Sequence, residues 1–269
     1  MIPPALSLYI HFPWCVSKCP YCDFNSHELK TTLDEQTYLQ ALVKDLQQDV
    51  PQVWGRTVNT IFMGGGTPSL FSAVAMQQLM QQIRALLPLK PGAEVTMEVN
   101  PGSQEFDDFS GYLEAGINRL SFGIQSLDDV QLQQLKRIHT SEQAKTTVIK
   151  AQKAGYQNFN LDMMFGLPGQ SMQAAKTDLL QLIELKPTHI SYYQLTIEPN
   201  TLFAVKTPEN LPDMELQHDM FLQGQEILGS HGYDQYEVSA YAKPDCQSDH
   251  NLNYWQFGDY LGIGAGAHS

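Results

Sequence analysis

The 269-residue sequence has no apolar run that approaches a membrane span. Leu6 to Phe12 is apolar but short, and no basic segment precedes it, which argues against an ordinary secretory signal. Cysteine is scarce: four thiols are too few for a disulfide scaffold at this length. Basic charge is scarce too. Sixteen Lys and Arg face 29 Asp and Glu, a net charge of −13, which excludes a broad nucleic-acid face. Low-complexity tracts are missing, and 42% apolar with 10% aromatic residues excludes a disordered chain. What remains fits one large domain, or one domain with a small appendage, expected in the cytoplasm with its thiols reduced.

Three of the four cysteines, Cys15, Cys19 and Cys22, lie within eight residues of WCVSKCPYCDF, while Cys246 stands alone. A small buried apolar role suits Cys246. It does not suit three thiols in a loop that carries Pro13 and Pro20. Thiolates at such spacing bind an iron–sulfur cluster or zinc. His11, Asp23 or His27 could complete a zinc site, so spacing alone leaves both open. Three thiolates on a [4Fe–4S] cube would leave one iron open to a small molecule.

Along the chain, short apolar strands alternate with amphipathic helices. Strands are expected at Leu6–Phe12, Val58–Met63, Glu94–Val99, Arg119–Gln125, Asn158–Phe165 and His189–Ile197. Helices are expected near 34–48, 76–87, 105–115, across much of 128–154, and at 171–185 and 213–229. Gly116, Gly155 and Gly232 sit where left-handed helix stops belong. Six strand–helix units without hairpin signals predict a parallel sheet. Polar residues recur where these strands end: the cysteine loop, Gly64-Gly65-Gly66-Thr67-Pro68, Glu98 in EVNP, Gln125, Asp162, and Gln194 with Thr196. Use of every strand end favours a partial (β/α)6 TIM-type barrel over an open sheet with one switch point.

The glycine run permits close backbone approach and exposes N–H donors, although a plain tight turn explains it equally well. It is neither a Walker loop nor G-x-G-x-x-G. Glu98, Gln125, Arg137 and Asp162 are candidate ligand contacts through their place on the cysteine face. Arg137 is suited to grip a carboxylate. His250, in HNLNYW, offers an axial haem ligand, with Tyr254 and Trp255 as flat packing surfaces; the alternative is an ordinary loop leading into a strand.

Taken as a set, YIHFPWC running into CVSKCPYCDFNSH, then GGGTPS, EVNP, SFGIQS, the Arg137 segment and LDMMFGLPGQ, resembles the radical S-adenosylmethionine (SAM) proteins. More narrowly it is similar to the group related to oxygen-independent coproporphyrinogen III dehydrogenase, over essentially the whole chain. The resemblance implies that Cys15, Cys19 and Cys22 hold a [4Fe–4S] cluster whose open iron chelates SAM. Tyr9, Gly65 and Glu98 match positions around that SAM. Tyr21, Gly66, Thr67, Gln125, Arg137 and Asp162 match positions assigned to a second SAM in the dehydrogenase.

One departure redirects the expectation. The dehydrogenases continue C-x3-C-x2-C-x-C, whereas Phe24 stands at the last position here. Phe24 together with HNxxYW resembles the haem-chaperone branch. That branch implies haem as cargo, with His250 in its binding, and haem-accepting partners such as membrane-associated respiratory enzymes. It also implies a homodimer and no decarboxylation of coproporphyrinogen. The alternative is a radical SAM oxidoreductase acting on coproporphyrinogen III. The chain ends at GAHS, where family members continue. The expected division is therefore a core barrel over 1–235, and over 236–269 the start of a truncated, haem-associated C-terminal region.

Overall fold

The computed structural model describes residues 3–102 and 109–269. Six parallel strands lie side by side in chain order: β1 (Leu6–Phe12), β4 (Val58–Gly65), β5 (Leu89–Val99), β6 (Arg119–Gln125), β7 (Phe159–Phe165) and β8 (His189–Gln194). A small ladder, β2 (Trp14–Cys15) with β3 (His27–Glu28), ties down the two ends of the cysteine loop. Helices α1 (Glu35–Asp49), α2 (Ala73–Leu86), α3 (Phe109–Ala115), α4 (Asp129–Gln134), α5 (Ser141–Lys153), α6 (Met172–Glu184), α7 (Leu202–Val205) and α8 (Met214–Ser230) fill the connections. Their starts follow from local chemistry. Asp34, Ser72, Ser171 and Asp213 each accept from a first-turn N–H, and Thr140 with Gln143 forms a reciprocal capping box. Gly116, Gly155 and Gly232 all adopt positive φ at the expected helix stops.

Alternation along the strands separates two interiors. One parity is apolar: Leu8 and Ile10, Ile61 and Met63, Leu120 and Phe122 pack with helix residues such as Leu42, Leu79 and Met80 in one core cluster. The other parity is polar and also buried, with Ser7, Thr60, Glu94, Thr96, Arg119, Ser121, Asn160 and His189 on successive strands. A sheet with helices on one side and polar side chains on the other is a barrel whose interior holds chemistry.

Four differences from the sequence reading bear on function. The expected helix over 128–154 is two helices, because Lys136 takes φ 52 after α4 and Thr140 restarts the chain as a cap. The break releases Arg137 from any helix face. The sixth strand ends at Gln194, leaving Thr196 in the loop beyond it. The expected boundary at 235 is no break in the sheet. β10 (Ala240–Ala242) extends one edge antiparallel to β8 and is followed by β9 (Asp234–Gln235), antiparallel to β10, while β11 (Asp259–Ile263) pairs parallel to β1 at the other edge. Between them HNLNYW forms a short helix, α9 (Asp249–Trp255), rather than a loop. The expected helical stretch at 105–108 lies outside the described residues.

Helix α9 is docked by a buried acid. The Glu94 carboxylate accepts from Ser248 Oγ (3.3 Å), Asp249 N (3.2 Å) and His250 N (3.1 Å), and pairs with Arg119 at 3.7 Å. Negative charge at a helix start is favourable, and burial raises the stakes of losing it. Glu94→Ala should therefore lower the unfolding free energy by about 3 kcal/mol in denaturant titration, because it strands Arg119 and three donors. Glu94→Gln, which retains an acceptor, should cost less.

Candidate functional site

The C-terminal ends of the parallel strands open into a cavity of ≈ 450 Å³. Cys15, Cys19, Cys22, Tyr21, Gly65, Gly66, Thr67, Glu98, Gln125, Arg137 and Asp162 all line it. Two expected residues do not. Tyr9 lies behind the wall, its hydroxyl 2.9 Å from His11 Nδ1 and its ring stacked at 6.4 Å on cavity-lining Phe62. His250 is buried to 2% exposure, with Nδ1 2.8 Å from Thr60 Oγ1 and Nε2 3.0 Å from the Tyr254 hydroxyl.

The glycine loop shapes the thiol side. Gly66 N and Thr67 N donate to Phe12 O and Trp14 O, both at 2.7 Å, which seats the loop on the chain entering the cysteines. Gly65 has φ +107, and a Cβ there would come within 2.4 Å of the His11 ring. A Cβ on Gly66 would lie 2.5 Å from Trp14 O. These are close approaches that only glycine permits, so a plain tight turn does not account for the run.

Lys18 closes the cysteine loop by donating to Phe24 O (3.1 Å) and Ser26 O (3.0 Å). Arg137 Nη1 donates to Cys19 Sγ at 3.4 Å, and Ser26 Oγ lies 3.9 Å from Cys22 Sγ. Burial pushes the Cys15 and Cys22 thiols up; hydrogen bonds from Thr67 and Ser26 to Cys15, and from the Phe24 backbone and Ser26 to Cys22, work against it. Among the described residues no three His, Cys, Asp or Glu groups converge closely enough to hold a single metal ion. His11 is committed, with Nε2 2.8 Å from Asn25 O as well as Nδ1 facing Tyr9, and His27 is exposed. Three separate thiols around one cavity, with donors beside each sulfur, fit a cluster in which each thiolate meets its own iron.

Across from the thiols stand two carboxyls. Glu98 Oε2 accepts from Gly65 N at 3.1 Å, and Asp162 Oδ1 accepts from Asn160 Nδ2 at 2.7 Å. Burial, then the charge of Asp162, pushes Glu98 up to about 8; burial also raises Asp162. Neither carboxyl is in an ion pair among the described residues. Such a pair suits a cationic ligand. Arg137 Nη2 donates to Gly123 O (2.7 Å) and Asn100 Oδ1 (3.1 Å), while its Nε is buried with no hydrogen-bond partner. Gln125 sits at φ 70, in a register shift between β6 and β7, and accepts from the Tyr193 hydroxyl at 2.6 Å. That strained backbone aims the side chain at the cavity. SAM, with an ammonium, a sulfonium and a carboxylate, matches these groups in charge.

The radical SAM superfamily profile matches residues 9–182. "Heme chaperone HemW" of Escherichia coli is 57% identical over 265 residues, covering 98% of this chain and 70% of that protein. The chain belongs to the radical SAM superfamily, in its HemW family. The radical SAM fold is equally plain in a solved structure of coproporphyrinogen III oxidase from Escherichia coli, with a TM-score of 0.85 and 26% identity. That match covers 98% of this chain and 64% of the other, so the chain spans less than two thirds of that enzyme. "Heme chaperone HemW" of Bacillus subtilis is 37% identical over 97% of this chain and 70% of its own. Across this radical SAM family, [4Fe–4S] and SAM binding are the common property.

Sequence reasoning missed the cavity residues Arg119, Ser121, Asn160, His189, Ser191 and Tyr193. For three of them the signal was present: Arg119 and Ser121 share strand parity with Gln125, and Asn160 with Asp162, whereas on β8 the expected Gln194 and Thr196 have the opposite parity to His189, Ser191 and Tyr193.

Replacement of Cys15, Cys19 or Cys22 by Ala should abolish reconstitution of the cluster, read as iron and sulfide content and visible absorption, while Cys246→Ala keeps it. SAM affinity should rise as pH climbs toward about 8 and then level, because Glu98 gives up its proton there and the carboxylate is the form that holds an ammonium. Asp162→Asn removes the repelling charge and should move that rise to lower pH in a calorimetric titration.

Proposed function

We propose that this protein is a haem chaperone that binds haem and passes it to haem-accepting proteins, including membrane-associated respiratory enzymes. It would carry a [4Fe–4S] cluster on Cys15, Cys19 and Cys22, with SAM among Gly65, Glu98 and their neighbours. Tyr21, Gly66, Thr67, Gln125, Arg137 and Asp162 line the remainder of the cavity available to the ligand. When bound, the cluster supplies one-electron chemistry at an open iron.

The observation that carries this reading over an enzymatic one is Phe24. It lines the cavity next to the thiols and is 57% exposed, where the dehydrogenase pattern continues with a further cysteine. Relatives bearing the haem-chaperone name, similar along nearly the whole chain, support it.

His250 is the residue assigned to the haem iron. Burial, then Arg119, lowers its pKa to about 4, so the ring is neutral at physiological pH, the form that ligates iron. Its Nε2 faces the half-exposed Tyr254, and the flanking Trp255 (55% exposed) and Phe257 (90% exposed) offer flat apolar area for a macrocycle. Ligation requires the Tyr254 hydroxyl to yield its place on Nε2.

The second reading, oxidation of coproporphyrinogen III, draws on the complete carboxyl-and-thiol cavity and on the 0.85 TM-score to the oxidase. Product mass separates the two: loss of carbon dioxide from coproporphyrinogen III establishes the enzyme. For the chaperone, an anaerobic titration at the Soret band should give saturable haem binding, weakened at least tenfold by His250→Ala. Equal binding by parent and variant removes His250 as the ligand.

A further inference from the structure

A continuous line of hydrogen bonds, buried at its middle and part-buried elsewhere, joins α9 to the cofactor cavity, and it has one direction. Ser248 N, at the cap of α9, donates to the Tyr236 hydroxyl at 3.2 Å. His189 Nε2 lies 2.7 Å from that hydroxyl, and His189 Nδ1 lies 2.7 Å from Asn160 Oδ1. Asn160 Nδ2 then donates to Asp162 Oδ1 at 2.7 Å.

Neighbouring bonds determine who donates. Asn160 Nδ2 also donates to Ser121 Oγ (2.8 Å), and its Oδ1 also accepts from Ser191 Oγ (3.1 Å), so the amide has no freedom to turn over. An Asn160 oxygen facing His189 makes Nδ1 the protonated nitrogen. Burial, then Arg119, holds the His189 pKa well down, so the ring is neutral and Nε2 must accept from Tyr236 O–H. Asn160 and His189 are 3% and 1% exposed, which keeps water from substituting for a missing partner. In such a chain each donor polarises the next.

We propose that Asn160, His189 and Tyr236 are positioning residues that couple the seating of the HNLNYW helix, α9, to the Asp162 carboxylate in the cofactor cavity. With α9 seated, every group in the line points toward Asp162, which receives a firmly oriented N–H donor. With α9 displaced, Tyr236 loses the donor that orients it, and the ordering behind Asp162 relaxes. A cation held by Asp162 acts in the reverse sense and favours the seated helix, as linkage requires. The Glu94–Arg119 pair runs beside this line, since Glu94 holds the start of α9 and Arg119 lines the cavity. The proposal rests on the reading that SAM occupies this cavity. It adds that SAM and a ligand of α9 sense one another through this line, beside the place that Asn251 of α9 itself holds in the cavity wall.

The test uses anaerobic, cluster-reconstituted protein and SAM itself. Calorimetric affinities are measured for the parent, Tyr236→Phe, Asp162→Asn and the double variant, with amide exchange followed over residues 248–252. Tyr236→Phe should weaken SAM binding about fivefold, yet add nothing once Asp162 is Asn. SAM should slow exchange over 248–252 in the parent and not in Tyr236→Phe. Losses that multiply in the double variant, or SAM-induced protection that survives Tyr236→Phe, overturn the coupling. A parent that binds no SAM removes the cofactor reading itself, and the proposal with it; SAM binding with unchanged exchange at α9 removes the coupling alone. Should Tyr236→Phe not fold, His189→Gln cuts the same line one bond nearer the cavity and must give both results.

Discussion

A barrel interior filled with polar side chains obliges every one of them to find a partner there. An unpaired donor or acceptor in such a place costs about 1–3 kcal/mol, so the inward faces of the six strands are solved together. Ser7 meets Thr60, Thr60 meets His250, Asn160 meets Ser121, Asp162 and His189, and Glu94 meets Arg119 and the start of α9. The apolar core on the other side of the sheet is permissive about exact identities. The polar side is not, because each residue is another's only alternative to water. Among the groups that line the cavity are the thiols, the two carboxyls and Arg137, and these are the ones with chemistry to do.

This requirement explains the helix break at 135–140. An arginine on a continuous helix over 128–154 would be held at that helix's radius outside the sheet. Ending α4 with Lys136 in the left-handed region carries Arg137 inward, where it reaches Gly123 O, Asn100 and Cys19 Sγ at once. The positive φ at Gln125 serves the same end from the strand side. Two local strains thus place two cavity residues, a distribution common where positioning outweighs stability.

Much of this was legible beforehand, for identifiable reasons. Period-two strands, capped helices and glycine stops follow local rules, so the six parallel units were readable, and Arg119–Gln125 was placed to the residue. The cysteine spacing and the polar strand ends marked the cavity face. The break before Arg137 was hidden because 128–154 carries no proline or glycine before Gly155 to betray it. The Tyr9 contact with His11 is a same-strand pair two residues apart, open to a parity reading, whereas the contact of His250 with Thr60 comes from a pairing that sequence distance conceals. Segment 236–269 gave no sign of joining both edges of the sheet, since pairing across the whole chain leaves no local pattern.

That last pairing carries a consequence for how the protein is made. Leu6 pairs in register with Asp259, so β1 is flanked on one side by a strand that is synthesised after β2 to β10. Until β11 is made, the outer edge of β1 remains an open row of N–H and C=O groups, on a strand that is largely apolar. Closure of that edge waits for β11, which arrives only after α9 has been laid across the barrel. Nascent chains of this design have a long interval in which strand-edge association competes with folding, and they are natural clients for chaperones that shield early strands.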